Sequence, residues 1–529
     1  MKEVIQSQQS WNKFQTSGRV GIVTTLFTEQ FLENSYELIQ LSNENFAEEI
    51  ELNGIDTVFI DNDLFEADHG WYRKNRGHLI NYLKNKKKNI CVIKNTSVEV
   101  AQIFKRAFIL HINPHIDDYV YEDLNLESPI LINEKNFNPV DSDIKRDIIY
   151  LNIGKTNNTL SKRTYNMGKS LNVEVFSNMK VTRGLLEEFI AAIKNTKLVY
   201  INSTSMIDEM TLKYIEYISY LNSAYVMYDH KFELSNDQFI IDDFATLNNK
   251  ISMYLKNPDY LFRQILIKQR QVLLENTFVK KQTLKDFIKV KEHETIIPRV
   301  SIITSTNRKD NLAGYFGRIL NQKNVELEIN LVTHGFQLSD EEKSFYRDEQ
   351  PFPINFIEAD SDETLGVCLN KAIDASTLPV IAKIDDDDYY MENYILDQWI
   401  ALKYSNADMV GKSECYYYFK SNNVIAKRNV GDYYKFNDFV MGATIMSDSE
   451  TMKKLKFDNI PRAVDTNFIR RLLESEGTIY VGHPFELCVF RSNDTEGHTW
   501  QVGDLAMLKN AEIVGYGDPA TYVTLEQAE

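Results

Sequence analysis

The chain has 529 residues, 43% of them hydrophobic and 12% aromatic, which is more than one core organises and ample for two or three. A formal net charge of -17 argues against a general nucleic-acid binder, because phosphate contacts need a basic surface. Four scattered cysteines, Cys91, Cys368, Cys415 and Cys488, suggest neither a disulfide framework nor a CxxC metal site and fit a reducing cytoplasm.

The opening "MKEVIQSQQSWNKF" lacks an apolar signal core, and no run approaches the ~18 apolar residues of a membrane span. The expectation is a cytoplasmic chain able to dock at the inner face of the membrane through a partner. From there, short β-branched runs alternate with helical periodicity. "RVGIVTTL", "IDTVFID" and "NICVIKN" read as strands, with "EQFLENSYELIQL" and "GHLINYLKN" as amphipathic helices between them. The basic "LKNKKKN" reads as the solvated end of a helix. A second set follows: "RDIIYLNIG", a helix near "KRTYNMGKSL", "VEVFSN", the helix "GLLEEFIAAIKN", "LVYINST", the helix "MTLKYIEYISYL" and "AYVMYDH". This alternation implies parallel sheets with helices on their faces, and hence two Rossmann-like lobes, 1–140 and 141–290, the second closed by a helical stretch. Apolar periodicity lapses over 291–298, where Pro298 precedes a new strand, so this is the expected linker. A third α/β series spans 299–515, and 516–529 form a tail.

That series contains "PVIAKIDDDDYY", an apolar run ending in Asp385, Asp386, Asp387 and Asp388. Packing four carboxylates together costs Coulomb energy unless a cation or hydrogen-bond donors offset it. With a period of two, Asp385 and Asp387 face one side and Asp386 and Asp388 the other. In open α/β sheets ligands bind beyond the carboxyl ends of the strands. Hard divalent cations such as Mg or Mn take oxygen ligands and keep positions for substrate phosphates. In an arbitrary protein such a run is more often a solvated turn. Here it follows an apolar strand, precedes the helical "MENYILDQWIALKY", and lies about 85 residues after another strand, "RVSIITSTN", which ends in polar residues.

Over residues 299 to about 500 the chain resembles a family 2 glycosyltransferase with the GT-A fold. The pieces occur in the family's order: "VSIITSTNRKDNLAGYFGRILNQ", "LEINLVTHG", "INFIEAD", "TLGVCLNKAIDAS", then the acid run as the DXD segment. The resemblance implies a nucleotide-sugar donor, held by Thr304, Thr306, Arg308, Asp360, Asn370, Asp385 and Asp386, with Asp360 equally suited to capping the next helix. It implies Mn or Mg on Asp387 and Asp385, with the late His498 as a further ligand or a solvated loop residue. Arg491 would neutralise the diphosphate or pair with a nearby acid. His334 stands where the family often has an acid.

Catalysis also needs a base to take the proton from the attacking hydroxyl. "IPRAVDTNFIRRLLESEG" reads as a helix starting near Pro461, with Asp465 on the face of Phe468, Ile469 and Leu472. Position alone leaves Asp465 either an inward carboxylate or a first-turn acid favoured by the helix dipole. The resemblance implies the catalytic role, with Val464 where the family often has a second acid. The aromatics of "ECYYYFK" would stack on sugar rings or form strand core.

The first half is similar to GT-B-type domains of spore-coat and surface-polysaccharide proteins. It offers Glu216, with Asn222 where a glycine is expected, which favours a degenerate or acceptor-handling module. The implied activity is inverting, metal-dependent transfer, most simply from a UDP-sugar, to a hydroxyl of a glycan or polyol-phosphate acceptor in a bacterial surface polymer such as teichoic acid, capsule or spore polysaccharide. Nucleotidyl transfer would need a glycine-rich basic loop that "TSTNRKDN" lacks, and a non-catalytic nucleotide-sugar scaffold is the remaining alternative. The sequence leaves oligomeric state open, with surface enough for a dimer.

Overall fold

Residues 19–23, 29, 32, 36–61, 73–94, 107–112, 120–122, 125–128, 130, 132, 134–153, 171–178, 183–202, 207, 209–228, 244–274, 297–491 and 503–525 are described by a computed structural model. The chain divides into two compact units: Met1–Pro139 with Asp143–Ile296, and Ile297–Glu529 with Val140–Ser142.

The first unit carries two sheets. One has the spatial order Glu37–Gln40, Arg19–Val23, Thr57–Asp61, Asn89–Lys94, Phe108–Ile112, Asn125–Ser128, Val120–Glu122. Every pairing in it is parallel except the last. The other, Tyr225–Tyr228, Thr196–Asn202, Arg146–Ile153, Val173–Asn178, is parallel throughout. Parallel strands covered by helices must be apolar on both faces, and "TVFID" is buried at all five positions. One expected helix is corrected. Glu37–Gln40, within "EQFLENSYELIQL", is a strand beside Arg19–Val23, an edge position where four residues with two apolar side chains suffice. The expected helix near "KRTYNMGKSL" lies mostly outside the described residues.

The basic cluster is a helix end: Arg73–Asn85 stops, Lys87 turns with φ 54°, Lys86 pairs with Glu51 and Lys88 with Asp56. Glu216 is buried in the helix Glu209–Leu221, 3.1 Å from Lys213. Asn222 donates its amide to the carbonyl of Ile218, and it is the following residue, Ser223, that takes the left-handed turn. The helices Phe244–Lys256 and Pro258–Leu273 are separated at Asn257, where Pro258 lacks the N–H needed to continue the first but suits the first turn of the second.

The second unit is built on an eight-stranded sheet ordered Ile354–Ala359, Glu326–His334, Arg299–Thr306, Val380–Lys383, Met446–Asp448, Met409–Gly411, Ile479–Val481, Lys435–Phe436. The first four strands are parallel. The chain leaves Arg299–Thr306 toward one edge, then returns to lay Val380–Lys383 on its other side. That reversal opens a crevice at the carboxyl ends of those two strands. The helix Leu312–Leu320 buries Leu312, Tyr315, Phe316 and Ile319, spaced as one helical face. A capping box of Ser339 and Glu342 starts Asp340–Asp348, and Thr364 caps Leu365–Ala375. A core of Ile303, Val332, Leu369, Ile381, Met409 and Phe468, among others, packs Leu365–Ala375 and Val464–Glu474 on the sheet. A five-stranded sheet, Tyr389–Tyr390, Leu487–Arg491, Cys415–Phe419, Val424–Arg428, Ala511–Tyr516, completes the unit. The aromatics of "CYYYF" are largely buried in it, so they are strand core.

Near the opposite end of the parallel strands, Glu328 ties three segments together. Its carboxylate accepts from the Ser301 hydroxyl, from the Thr377 hydroxyl at 2.6 Å and from the N–H groups of Thr377 and Leu378. Burial alone would push this carboxyl up, but those donors hold it below the usual carboxylate range. A folded value below the unfolded one contributes stability above the unfolded range, near pH 4, and loses it as pH falls through the folded value. Glu328→Gln is therefore expected to lower unfolding free energy by about 1–2 kcal/mol at pH 7. Denaturant titration at pH 7 and pH 3 should show the gap from the parent narrowing in acid.

Candidate functional site

Parallel pairing sets Ile303 opposite Lys383. The same offset carries past the strand ends. Thr304 Oγ1 donates to the carbonyl of Ile384 at 2.8 Å, and Thr306 Oγ1 donates to Asp386 Oδ2 at 2.6 Å. The acid run thus emerges in the crevice, and its exposure alternates: Asp385 and Asp387 are partly accessible while Asp386 and Asp388 are buried.

The two inward acids are consumed by the fold. Asp386 also accepts from Arg308 Nε at 3.1 Å, Arg308 Nη2 and Asn311 Nδ2, and its carbonyl accepts from Arg318 at 2.7 Å. Asp386 was expected on the donor nucleotide; its side chain is only 4% exposed and its role in the structure is to hold Thr306 and Arg308. Asp388 accepts from the Phe490 N–H at 2.9 Å, and burial pushes its carboxyl well above the usual range.

The two outward acids share cations. Asp387 accepts from Arg308 Nη1 at 2.9 Å, and Asp385 accepts from Lys383 Nζ at 2.6 Å. Burial raises the Asp387 carboxyl; Arg308 opposes this and Asp385 adds to it. The Asp385 N–H donates to the Tyr390 hydroxyl at 3.0 Å, which donates to the Ala443 carbonyl.

Asp465 is brought to the acid run by a separate helix. Its helix, Val464–Glu474, starts three residues later than Pro461, behind Ala463, which adopts φ 58°. A non-glycine residue held there costs of order 1 kcal/mol and persists only where its surroundings enforce it. Val464, Phe468, Ile469 and Leu472 are buried, and Asp465 stands in the first turn beside them. Its Oδ2 lies 3.5 Å from Lys383 Nζ. Its Oδ1 is buried without a hydrogen-bond partner, while the side chain as a whole stays 27% exposed. Burial raises its carboxyl above the usual range, Lys383 opposes that and Asp385 adds to it. Asp465 is packed so closely on Gly442 that a Cβ there would overlap its carboxylate.

The remaining expected site residues have these surroundings. The Thr304 hydroxyl is enclosed between the Ile384 carbonyl and the Tyr315 hydroxyl. Asn370 spends both ends of its amide on the backbone of Phe457, each at 2.8 Å, and so straps the loop before Val464. Asp360 is exposed in the turn before Thr364, which is the helix cap. His334 ends its strand with Nε2 buried and without a hydrogen-bond partner. Arg491 takes the second of its expected roles, 3.6 Å from Asp504. His498 lies outside the described residues. Lys383, Gly442 and Arg318 were not singled out in the sequence. The available signal was a lysine closing an otherwise apolar buried strand.

Among the described residues no group of three or more His, Cys, Asp or Glu is disposed to hold a metal ion. The donor set itself suits one. Asp385 and Asp387 present hard carboxylate oxygens at an accessible rim, the donor type that Mn and Mg take.

Residues 301–472 match the family model described as glycosyl transferase family 2. No curated protein matches the chain. Similar solved structures include the mannosyltransferase PcManGT from Pyrobaculum calidifontis, in complex with GDP-Man and Mn2+, at 13% identity over 47% of this chain and 69% of that one, with a TM-score of 0.31. They also include S. aureus TarS at 15% identity, TM-score 0.29, covering 37% of this chain and 37% of that one. A third is the 1–349 segment of S. aureus TarS, also 15% identical with TM-score 0.29, covering 36% and 60%. This chain thus spans less than two thirds of either TarS chain.

Gly442→Ala tests the close packing directly. The added methyl must displace the Asp465 carboxylate, so the unfolding free energy is expected to drop by about 1–3 kcal/mol. A denaturant titration beside the parent checks it.

Proposed function

We propose that the family 2 glycosyltransferase domain matched at 301–472 transfers a sugar from a nucleotide-sugar donor to an acceptor hydroxyl in a single inverting displacement. One observation carries the reading. Asp385 and Asp465, brought together from a strand end and a helix start 80 residues apart, flank the same buried ammonium of Lys383. An arrangement that places a donor-side acid and a burial-raised carboxylate within reach of one group suits a base working beside a leaving group.

The roles follow from position. Thr306, Arg308 and Asp386 form one hydrogen-bonded unit on the donor side. Asp387, with Asp385, would hold Mn or Mg, which when bound neutralises charge on the departing diphosphate. Asp465 accepts the proton of the acceptor hydroxyl. That oxygen forms its bond to the anomeric carbon as the bond from this carbon to the diphosphate oxygen breaks, and the electron pair leaves with the diphosphate. The donor is read as a UDP-sugar and the acceptor as a hydroxyl of a bacterial surface glycan or polyol phosphate. The reaction is placed at the cytoplasmic face of the membrane; no helix among the described residues is long and apolar enough to cross it. The first unit is read as an acceptor-handling module.

A thermal-shift panel of nucleotide sugars with and without Mn or Mg is the first test. One UDP-sugar should raise the melting temperature only with metal, since ligands that bind the folded state alone stabilise it. Asp387→Asn is expected to abolish that metal-dependent shift. Asp465→Asn should keep the shift and lose about 10²–10⁴-fold in turnover. Retained turnover in Asp465→Asn would remove the base, and a panel without any response would remove the donor class.

A further inference from the structure

Lys383 is an expensive residue to place where it lies. Its side chain is 3% exposed at the end of the strand Val380–Lys383, and an ammonium withdrawn from water is tolerated only when well paired. It meets two carboxylates at once, Asp385 Oδ1 at 2.6 Å and Asp465 Oδ2 at 3.5 Å.

The two acids depend on it unequally. Asp385 keeps 38% of its side-chain exposure, so water can still solvate it. Asp465 has its Oδ1 buried without a partner and Gly442 against its carboxylate. Lys383 is the one polar side chain recorded on it among the described residues. A carboxylate with a single polar anchor owes its orientation to that anchor. The anchor is itself fixed, because the Lys383 N–H donates to the Ile445 carbonyl at 2.8 Å within the segment that carries Gly442.

We infer that Lys383 is a positioning residue: its buried ammonium holds the Asp465 carboxylate in the orientation needed to take the acceptor's proton, and couples it to the donor-side acid Asp385. This rests on the proposed role of Asp465. The effect is exerted on turnover, because misplacing a reacting group by about 1 Å can cost 10²-fold without changing what binds.

The test uses the full chain with Mn2+ and either UDP-glucose or UDP-N-acetylglucosamine, whichever stabilises it, and follows UDP release with water as acceptor. Lys383→Met is expected to lower kcat at least tenfold and change the donor KM less than threefold. Lys383→Arg, which restores a cation, should recover kcat to within about fivefold of the parent. The double variant Lys383→Met with Asp465→Asn should be no slower than Asp465→Asn alone, because groups acting as a unit lose their effects non-additively. Should Lys383→Met fail to fold, Lys383→Gln keeps a donor without the charge, and the same non-additivity is expected. Multiplying losses in the double variant would overturn the inference, as would a donor KM raised more than tenfold at unchanged kcat, or an Arg variant as slow as Met. Full turnover in Asp465→Asn would instead remove the base assignment itself, a separate failure.

Discussion

Four acids leave the end of one strand, and two unit charges 4 Å apart repel by about 4 kcal/mol at an effective dielectric near 20. The second unit is organised around relieving that repulsion. Each acid is met by a donor: Lys383 for Asp385, Thr306 and Arg308 for Asp386, Arg308 again for Asp387, and the Phe490 N–H for Asp388. These partners come from the acid strand itself, its parallel neighbour and the five-stranded sheet. Pairing the acids therefore draws together three separate segments of the domain.

The pairing divides the acids by function. Period-two geometry turns Asp386 and Asp388 inward, where they act as buried fasteners, and leaves Asp385 and Asp387 at the rim. The inward Asp386 orients the group that the outward Asp387 meets. Arg308 is gripped by Asp386 on one side and offers Asp387 a hydrogen bond on the other, so the rim acid has a defined position without being enclosed. Tyr390 does the same for Asp385 through a backbone N–H and the carbonyl of Ala443, in the segment that also carries Gly442.

Asp465 joins this group by a different route. Its helix packs Val464, Phe468, Ile469 and Leu472 on the core, and the loop ahead of it is strapped by Asn370 to the helix Leu365–Ala375. Gly366 lets that helix approach the loop carbonyl of Asp458 without a side chain between them. The strained Ala463 and the close contact with Gly442 then place one carboxylate beside one ammonium. Apolar packing does the transport, and the electrostatic contact decides only the last few ångströms.

Local pattern was enough to read much of this. Alternating strands and helices implied parallel sheets, the apolar run before four acids implied a strand end, and helical spacing placed Asp465 among Phe468, Ile469 and Leu472, because all three depend on periods of two or 3.6 residues that a linear sequence displays. Tertiary structure decided the rest. It turned Asp386 and Thr304 inward, spent Asn370 on a backbone strap, paired Arg491 with Asp504, made Glu37–Gln40 an edge strand, and set Lys383 between two acids 80 residues apart. Such outcomes depend on which neighbour a side chain meets across the sheet. Register and packing set that, and no sequence window spans it.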